Sequence, residues 1–339
     1  MCAHAQARVG FGSLQKVGTV CVIDPGAHFM EQWNTRFDAL EIGHLRSPAF
    51  AHPVAFEPSA LTSFAIREGR TSELRDAPFT TKWLISPELQ DPLVKALPST
   101  ALFRDFCSYV EASLPHRWLS GTATGVCQDA ATGKFCVHYR ANADQRELKV
   151  AARAVILATG PVGKWNVPAP FEPHLASRLV LHTEELLAES KGTLREEITR
   201  VLDSTGHAAE SARVLVIGGG ISAAQAALAA FHAGHHVVLR SRRQLQTRAF
   251  DIASEWLDAR HAERLRFEFW GKPMDQRLQA IREAIAGGSV PAKYMEELCR
   301  LSRESSALRL EVDGGHLRSI SPRSISPRCT CGSRWTAGT

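Results

Sequence analysis

Apolar and polar positions alternate with different periods along this chain, and each change of period predicts an element. Residues 19–23 are a short run rich in β-branched side chains, stopped by Asp24-Pro25-Gly26, which predicts a strand ending in a turn. From residue 27 to about residue 98 the pattern is irregular, with many Pro, Ser and Thr. Leu102, Phe103, Phe106, Val110 and Leu114 then recur at helical spacing, so an amphipathic helix is expected over residues 99–114, capped by Ser99 or Thr100. Phe135, Val137 and Tyr139 alternate with Cys136, His138 and Arg140. With a polar turn at residues 142–146 and residues 148–150 after it, they predict a β-rich stretch. Residues 154–158 are continuously apolar, the mark of a strand covered on both faces, and end at Thr159-Gly160-Pro161.

The Pro-rich segment 161–173 reads as a crossing between domains and residues 184–202 as a charged helical connection. A second unit follows. Residues 214–217 are a buried strand, Gly218-Gly219-Gly220 a turn, residues 222–233 an alanine-rich helix and residues 237–239 another strand. That is a βαβ unit of the usual ~30 residues. Residues 250–301 are largely helical, interrupted at Gly271-Lys272-Pro273 and Gly287-Gly288. From Arg318 the chain repeats Ser-Ile-Ser-Pro-Arg and becomes rich in Cys, Gly, Ser and Thr, so a disordered tail is expected over 318–339.

Composition narrows the class without naming it. A chain of 339 residues exceeds one hydrophobic core, so two domains are expected. The net charge of +5 is spread along the chain, with only residues 240–248 concentrated, which favours a pocket for an anionic small molecule over a nucleic-acid surface. No run approaches the ~18 apolar residues of a membrane span, and no secretory h-region opens the chain, so no membrane association and a cytoplasmic address are expected. The eight cysteines form no Cys-x-x-Cys pair, so neither a dithiol centre nor a metal site is expected.

Gly218, Gly220 and Ala223 occupy the three slots of Gly-x-Gly-x-x-Gly/Ala, with Gly219 between the first two. The first glycine permits the strand-to-helix turn, the second lets a pyrophosphate approach the backbone, and Ala223 allows close helix–sheet packing. Free N–H groups at the helix N-terminus then hold phosphate. At the end of the next strand an acid would bind a ribose 2′-hydroxyl; this chain has Arg240-Ser241-Arg242-Arg243 instead, and guanidinium groups suit a 2′-phosphate. NADPH is therefore preferred over NADH. An ordinary loop beside a solvated face is the simpler alternative. His235 and His236 read as surface histidines before a strand.

A second strand end is less defined. Residues 20–24 look like the second strand of another Rossmann unit, with Asp24 placed to accept ribose hydroxyls; an aspartate that merely starts an Asp-Pro-Gly turn explains it as well. Gly10 and Gly12 lie too close to Val20 for a full helix to intervene, so residues 11–17 read as a helix remnant and the first glycine loop as missing.

Together, residues 22–25, Gln32-Trp33, residues 44–48, the run 156–161 and the arginine-followed Gly218 loop resemble class B-type flavin monooxygenases. That group includes lysine and ornithine N-hydroxylases and flavin-containing monooxygenases. The resemblance covers roughly residues 20–310 and implies an α/β fold of two Rossmann-like dinucleotide-binding domains, an incomplete FAD domain and an inserted NADPH domain. The divisions expected are 1–165 for the FAD-binding-like domain, 166–210 for the connection, 211–317 for the NADPH domain and 318–339 for the tail. Trimming at both ends is expected, since the return strand that would complete the FAD domain is not seen.

By that resemblance Asp24, Gln32, Trp33, Arg46, Thr159 and Gly160 would lie along FAD. Gly218, Gly219, Gly220, Ala223, Arg240, Arg242 and Arg243 would hold NADPH. The implied chemistry is hydride transfer from NADPH to flavin, capture of oxygen as a peroxyflavin, and N- or S-oxygenation of a small molecule. No side chain is singled out as catalytic, and the oligomeric state is open. The alternative is a catalytically impaired NADPH-binding regulatory or scaffolding protein.

Overall fold

The computed structural model describes residues 20–54, 57–76, 96–160, 165, 167–188, 192–204, 212–250, 259–285 and 287–312. In chain order its strands are β1 (Val20–Asp24), β2 (Leu74–Arg75), β3 (Leu97–Pro98), β4 (His116–Gln128), β5 (Phe135–Ala141), β6 (Glu147–Ala152), β7 (Arg213–Ile217), β8 (His236–Ser241) and β9 (Leu308–Val312). Its α-helices are α1 (Glu31–Ala39), α2 (Ala60–Arg67), α3 (Thr100–Ser113), α4 (Thr183–Ala188), α5 (Leu194–Ser204), α6 (Ile221–His232), α7 (Ala259–Gly271), α8 (Met274–Ile285) and α9 (Ala292–Glu304). None is long and apolar enough to cross a membrane.

The first sheet has the order β1-β4-β5-β6. β1 pairs in parallel with the first five residues of β4, Val20 opposite His116 and Asp24 opposite Ser120. β4 then continues into an antiparallel meander with β5 and β6. The pattern did not predict β4: Gly121, Thr122, Ala123, Thr124 and Gly125 carry no alternation, and the register shifts between Ala123 and Gly125 as a bulge does. α3 forms where expected, and the Ser99 hydroxyl accepts the Leu102 N–H at 2.9 Å as its cap. α2 packs on it through Leu61, Phe64, Ala65, Leu102 and Phe106.

The stretch 27–98 is less irregular than expected, since it contains α1 and α2. Their apolar faces were present at helical spacing, Trp33 with Phe37 and Leu61 with Phe64 and Ala65, between turn-forming residues. The charged connection is two helices rather than one. Thr193 and Glu196 exchange backbone-to-side-chain hydrogen bonds at 2.8 and 3.3 Å, a capping box that starts α5 afresh.

Residues 154–158 do not form the covered strand that their apolar run suggests. Ile156 and Leu157 are 65% and 78% exposed, and no strand among the described residues pairs with them. Continuous hydrophobicity specifies a buried strand only when a neighbour supplies backbone partners and cover. Gly10, Gly12, the segment 11–17, Pro161 and the tail from Arg318 lie outside the described residues.

The second sheet is parallel, in the order β7-β8-β9. β9 ends the described chain as the third strand of this unit. α6 lies against the sheet with Ala223, Ala224, Ala226, Ala227 and Ala230 buried. This small-residue face admits close approach by Leu194 and Ile198 of α5 and by Met295, Leu298 and Leu301 of α9. Complete burial of Leu298 and Leu308 contributes about 1.5–3 kcal/mol each.

Candidate functional site

The carboxyl end of the parallel sheet brings together the glycine turn and the basic strand end. Val214, Leu215 and Val216 hold β7 in the sheet, and the chain turns at Gly218, whose N–H donates to the Arg240 carbonyl at 3.0 Å. Gly218 has φ +155°, and a Cβ built on it would fall 2.8 Å from the Ala223 Cβ. A glycine is therefore required here twice, once for its backbone and once for the room Ala223 occupies. Gly219 sits over the end of β8, where a Cβ would meet Ser241 and Leu245 at ordinary contact distances. Gly220 is the N-cap of α6 and brings no side chain to its first N–H groups.

A second glycine segment closes one side of this turn. A Cβ on Gly288 would lie 2.8 Å from the Gly220 Cα and 2.9 Å from the Gly220 nitrogen, so only a bare backbone packs there. Residues 287–290 are pinned by the Val290 N–H on the Gln246 carbonyl at 2.9 Å and the Arg248 N–H on the Val290 carbonyl at 3.2 Å. The sequence reading took Gly287-Gly288 as a helix break only. Its spacing from the first glycine cluster gives no hint of the contact.

Arg46 reaches the same place from the 44–48 segment. It donates to the Ala249 carbonyl at 3.2 Å, the Arg248 carbonyl at 3.0 Å and the Ser289 hydroxyl at 3.2 Å. The segment itself is fixed against α3 by backbone bonds from Leu45 to Pro98 and from Thr100 to Gly43, each 3.0 Å. Burial, followed by the Arg75 and Lys293 charges, lowers the pKa of His44 in this segment.

The arginines separate into two environments. Arg240 lies opposite Glu311 in the β8–β9 register, with its Nε 3.4 Å from a Glu311 carboxylate oxygen. Arg242 and Arg243 are exposed just beyond, and the Ser241 hydroxyl donates to the Arg243 carbonyl at 2.5 Å to shape the bend.

The residues expected along FAD stand on separate elements. Asp24 ends β1, exposed, and its Oδ1 accepts the Gly26 N–H at 2.8 Å within the Asp-Pro-Gly turn. The same turn is held by the Trp118 indole on the Gly26 carbonyl at 2.8 Å and the Asn142 amide on the Pro25 carbonyl at 2.7 Å. Gln32 is exposed on α1, whereas Trp33 stacks on Phe37 at 3.7 Å and tilts against Phe103 at 5.4 Å, packing α1 on α3. Arg36 on α1 pairs with Glu184 of α4 at 2.5 Å, tying the connection to this half. Thr159 and Gly160 are exposed, Gly160 with φ +66°. His235 is buried, its Nδ1 accepting the Ala212 N–H at 3.4 Å, and so is not the surface histidine expected; His236 is exposed.

Residues 93–310 match the family model of L-lysine 6-monooxygenase/L-ornithine 5-monooxygenase. No curated protein sequence matches the chain. Among solved structures, the FAD-bound cadaverine monooxygenase of desferrioxamine biosynthesis from Erwinia amylovora is 17% identical with a TM-score of 0.58, over 88% of this chain and 64% of that one. The L-lysine 6-monooxygenase of Pseudomonas syringae is 16% identical with a TM-score of 0.56, over 92% and 68%. The ornithine N-hydroxylase of Kutzneria sp. 744, in a structure with reduced FAD, NADP+ and L-ornithine, is 15% identical with a TM-score of 0.53, over 86% and 64%. At these identities the likeness shows the fold, an α/β arrangement with Rossmann-like units. The chain spans about two thirds of the length of these proteins.

Proposed function

Since the chain belongs to the L-lysine 6-monooxygenase/L-ornithine 5-monooxygenase family, we propose that it is an NADPH- and FAD-dependent monooxygenase acting on the terminal amine of a small aliphatic amine or amino acid. The overall reaction would join R-NH2, O2, NADPH and H+ to give R-NHOH, water and NADP+. The lysine, ornithine and cadaverine named for similar proteins support this substrate class. A cytoplasmic address, no nucleic-acid partner, and a division near residues 165 and 211 belong to the same reading.

One observation carries it: Gly218 occupies a backbone conformation that only glycine adopts freely, directly before a helix N-terminus, with Arg242 and Arg243 exposed at the next strand end. That cradle fits the pyrophosphate and 2′-phosphate of NADPH. The first N–H groups of α6 would donate to the pyrophosphate, helped by the helix dipole. Arg242 and Arg243 would pair with the 2′-phosphate. Arg240, already opposite Glu311, would steady the strand rather than grip phosphate. Gly288 and the Arg46 clamp would keep water from one side of the turn. Bound there, NADPH supplies the hydride that reduces the flavin.

Asp24 shapes its own turn, Trp33 packs two helices and Arg46 holds the neighbouring loops, roles that each residue keeps whether or not a flavin is bound. The same observation favours a second reading, a protein that binds NADPH without turning it over. Incubating the purified chain with NADPH, with and without added FAD, and with lysine, ornithine or cadaverine separates the two. FAD-dependent NADPH oxidation with hydroxylamine product supports the enzyme; tight NADPH binding with no oxidation selects the second reading; absence of NADPH binding refutes both.

A further inference from the structure

The β4–β5 hairpin carries a cluster that plays no part in the nucleotide site. Cys127 and Cys136 are directly opposed in the antiparallel register, and His138 lies two residues beyond Cys136 on the same face of β5. The His138 Nε2 is 3.7 Å from both sulfurs, and the three donor atoms lie within 4.8 Å of one another. Opposite His138 is Gly125, whose missing side chain leaves open space for the imidazole to lean toward Cys127. On the far side, Ala151 opposes Cys136 and adds no competing group.

We propose that Cys127, Cys136 and His138 bind one soft divalent cation, zinc being the representative, with a fourth position open to water. Tetrahedral geometry with a metal–sulfur bond of about 2.3 Å and a metal–nitrogen bond of about 2.0–2.1 Å puts sulfur and nitrogen about 3.6 Å apart. The spacing found is 3.7 Å for both sulfur–nitrogen pairs. Two sulfurs and an imidazole select zinc, cadmium or cobalt over magnesium or calcium, which prefer oxygen. Binding would release two thiol protons, leaving two thiolates to neutralise the cation. Cys127 is exposed and the other two are half-buried, so metal can enter and a water can complete the shell. The site would clip the hairpin across its two strands.

The test uses the full chain, reduced and stripped of metal, titrated with Co2+ and then Zn2+. One equivalent of Co2+ is expected to give thiolate-to-cobalt charge-transfer absorption that Zn2+ abolishes. Cys127→Ser and Cys136→Ser should each weaken binding by more than the roughly 10- to 100-fold that loss of an outer-shell partner costs. His138→Gln provides an independent variant that leaves both thiols in place, and it should change the cobalt spectrum; Cys299→Ser should leave it unchanged. The proposal is overturned by absence of the band in the parent chain or by a band that survives Cys127→Ser.

Discussion

Replacing Gly218 by alanine isolates what the glycine turn requires. Two penalties act together. The backbone at φ +155° lies where non-glycine residues pay about 1–3 kcal/mol. The new Cβ would also fall 2.8 Å from the Ala223 Cβ, and such overpacking costs about 1–3 kcal/mol. A combined loss of roughly 4 kcal/mol is the midrange of those values. Ala223→Gly alone should cost about 1 kcal/mol through helix propensity. In the double variant the clash disappears while the backbone strain stays. The double should therefore be about 1–3 kcal/mol more stable than the sum of the single losses predicts. Urea unfolding of the four proteins, with the slopes compared, measures this coupling, and calorimetry on the same samples follows NADPH affinity. Additive losses, or Gly218→Ala as stable as the parent, would show that the backbone relaxes freely and that the turn is not held as described.

Reversing Arg242 and Arg243 together to glutamate should weaken NADPH binding at least about tenfold while leaving NADH nearly unaffected, since charged hydrogen bonds contribute about 1.5–3 kcal/mol each; equal loss for both nucleotides in parallel calorimetric titrations would contradict their assignment to the 2′-phosphate. Arg240→Ala should lower stability by less than about 1 kcal/mol, the range of a partly exposed ion pair, and change NADPH affinity little. Arg46→Ala removes one donor each from the Arg248 and Ala249 carbonyls and the Ser289 hydroxyl, so amide exchange over residues 287–290 should speed up; unchanged exchange would mean the clamp is ornamental. Burial lowers the pKa of His52, whose ring meets Phe106 at 5.3 Å. The stability it contributes is complete above the ordinary value of 6.5 and is lost as pH falls through the lower folded value. Thermal melts from about pH 7.5 down to about pH 5 should show that loss, and His52→Gln should reduce it.

What the sequence disclosed was local. A β-branched run, a glycine turn and an alanine helix are each decided by residues adjacent in the chain, so β7, α6 and β8 and the capped α3 could be read directly. β4 was not legible because its glycines and small polar residues carry no period, and its place in the sheet comes from partners on either side. The Cys127, Cys136 and His138 cluster was hidden for the same reason: Cys136 and His138 alternate on an expected strand, but Cys127 sits on the unexpected one. His235 shows the converse, since two histidines before a strand look alike in sequence while the register buries one and exposes the other.

The Arg46 guanidinium is held on the backbone of residues 248 and 249 and on Ser289. Ser289 adjoins Gly288, and Gly288 is packed against the glycine turn. A perturbation in the 44–48 segment therefore has a continuous mechanical route to the Gly218-Gly219-Gly220 turn, through three hydrogen bonds and one close backbone contact. If that route transmits, Arg46→Ala should alter NADPH affinity although Arg46 itself would not touch NADPH, whereas Trp33→Phe, confined to the packing of α1 on α3, should not. The same NADPH titration run on both variants discriminates, and an affinity unchanged in Arg46→Ala would show that the 44–48 segment is energetically independent of the glycine turn.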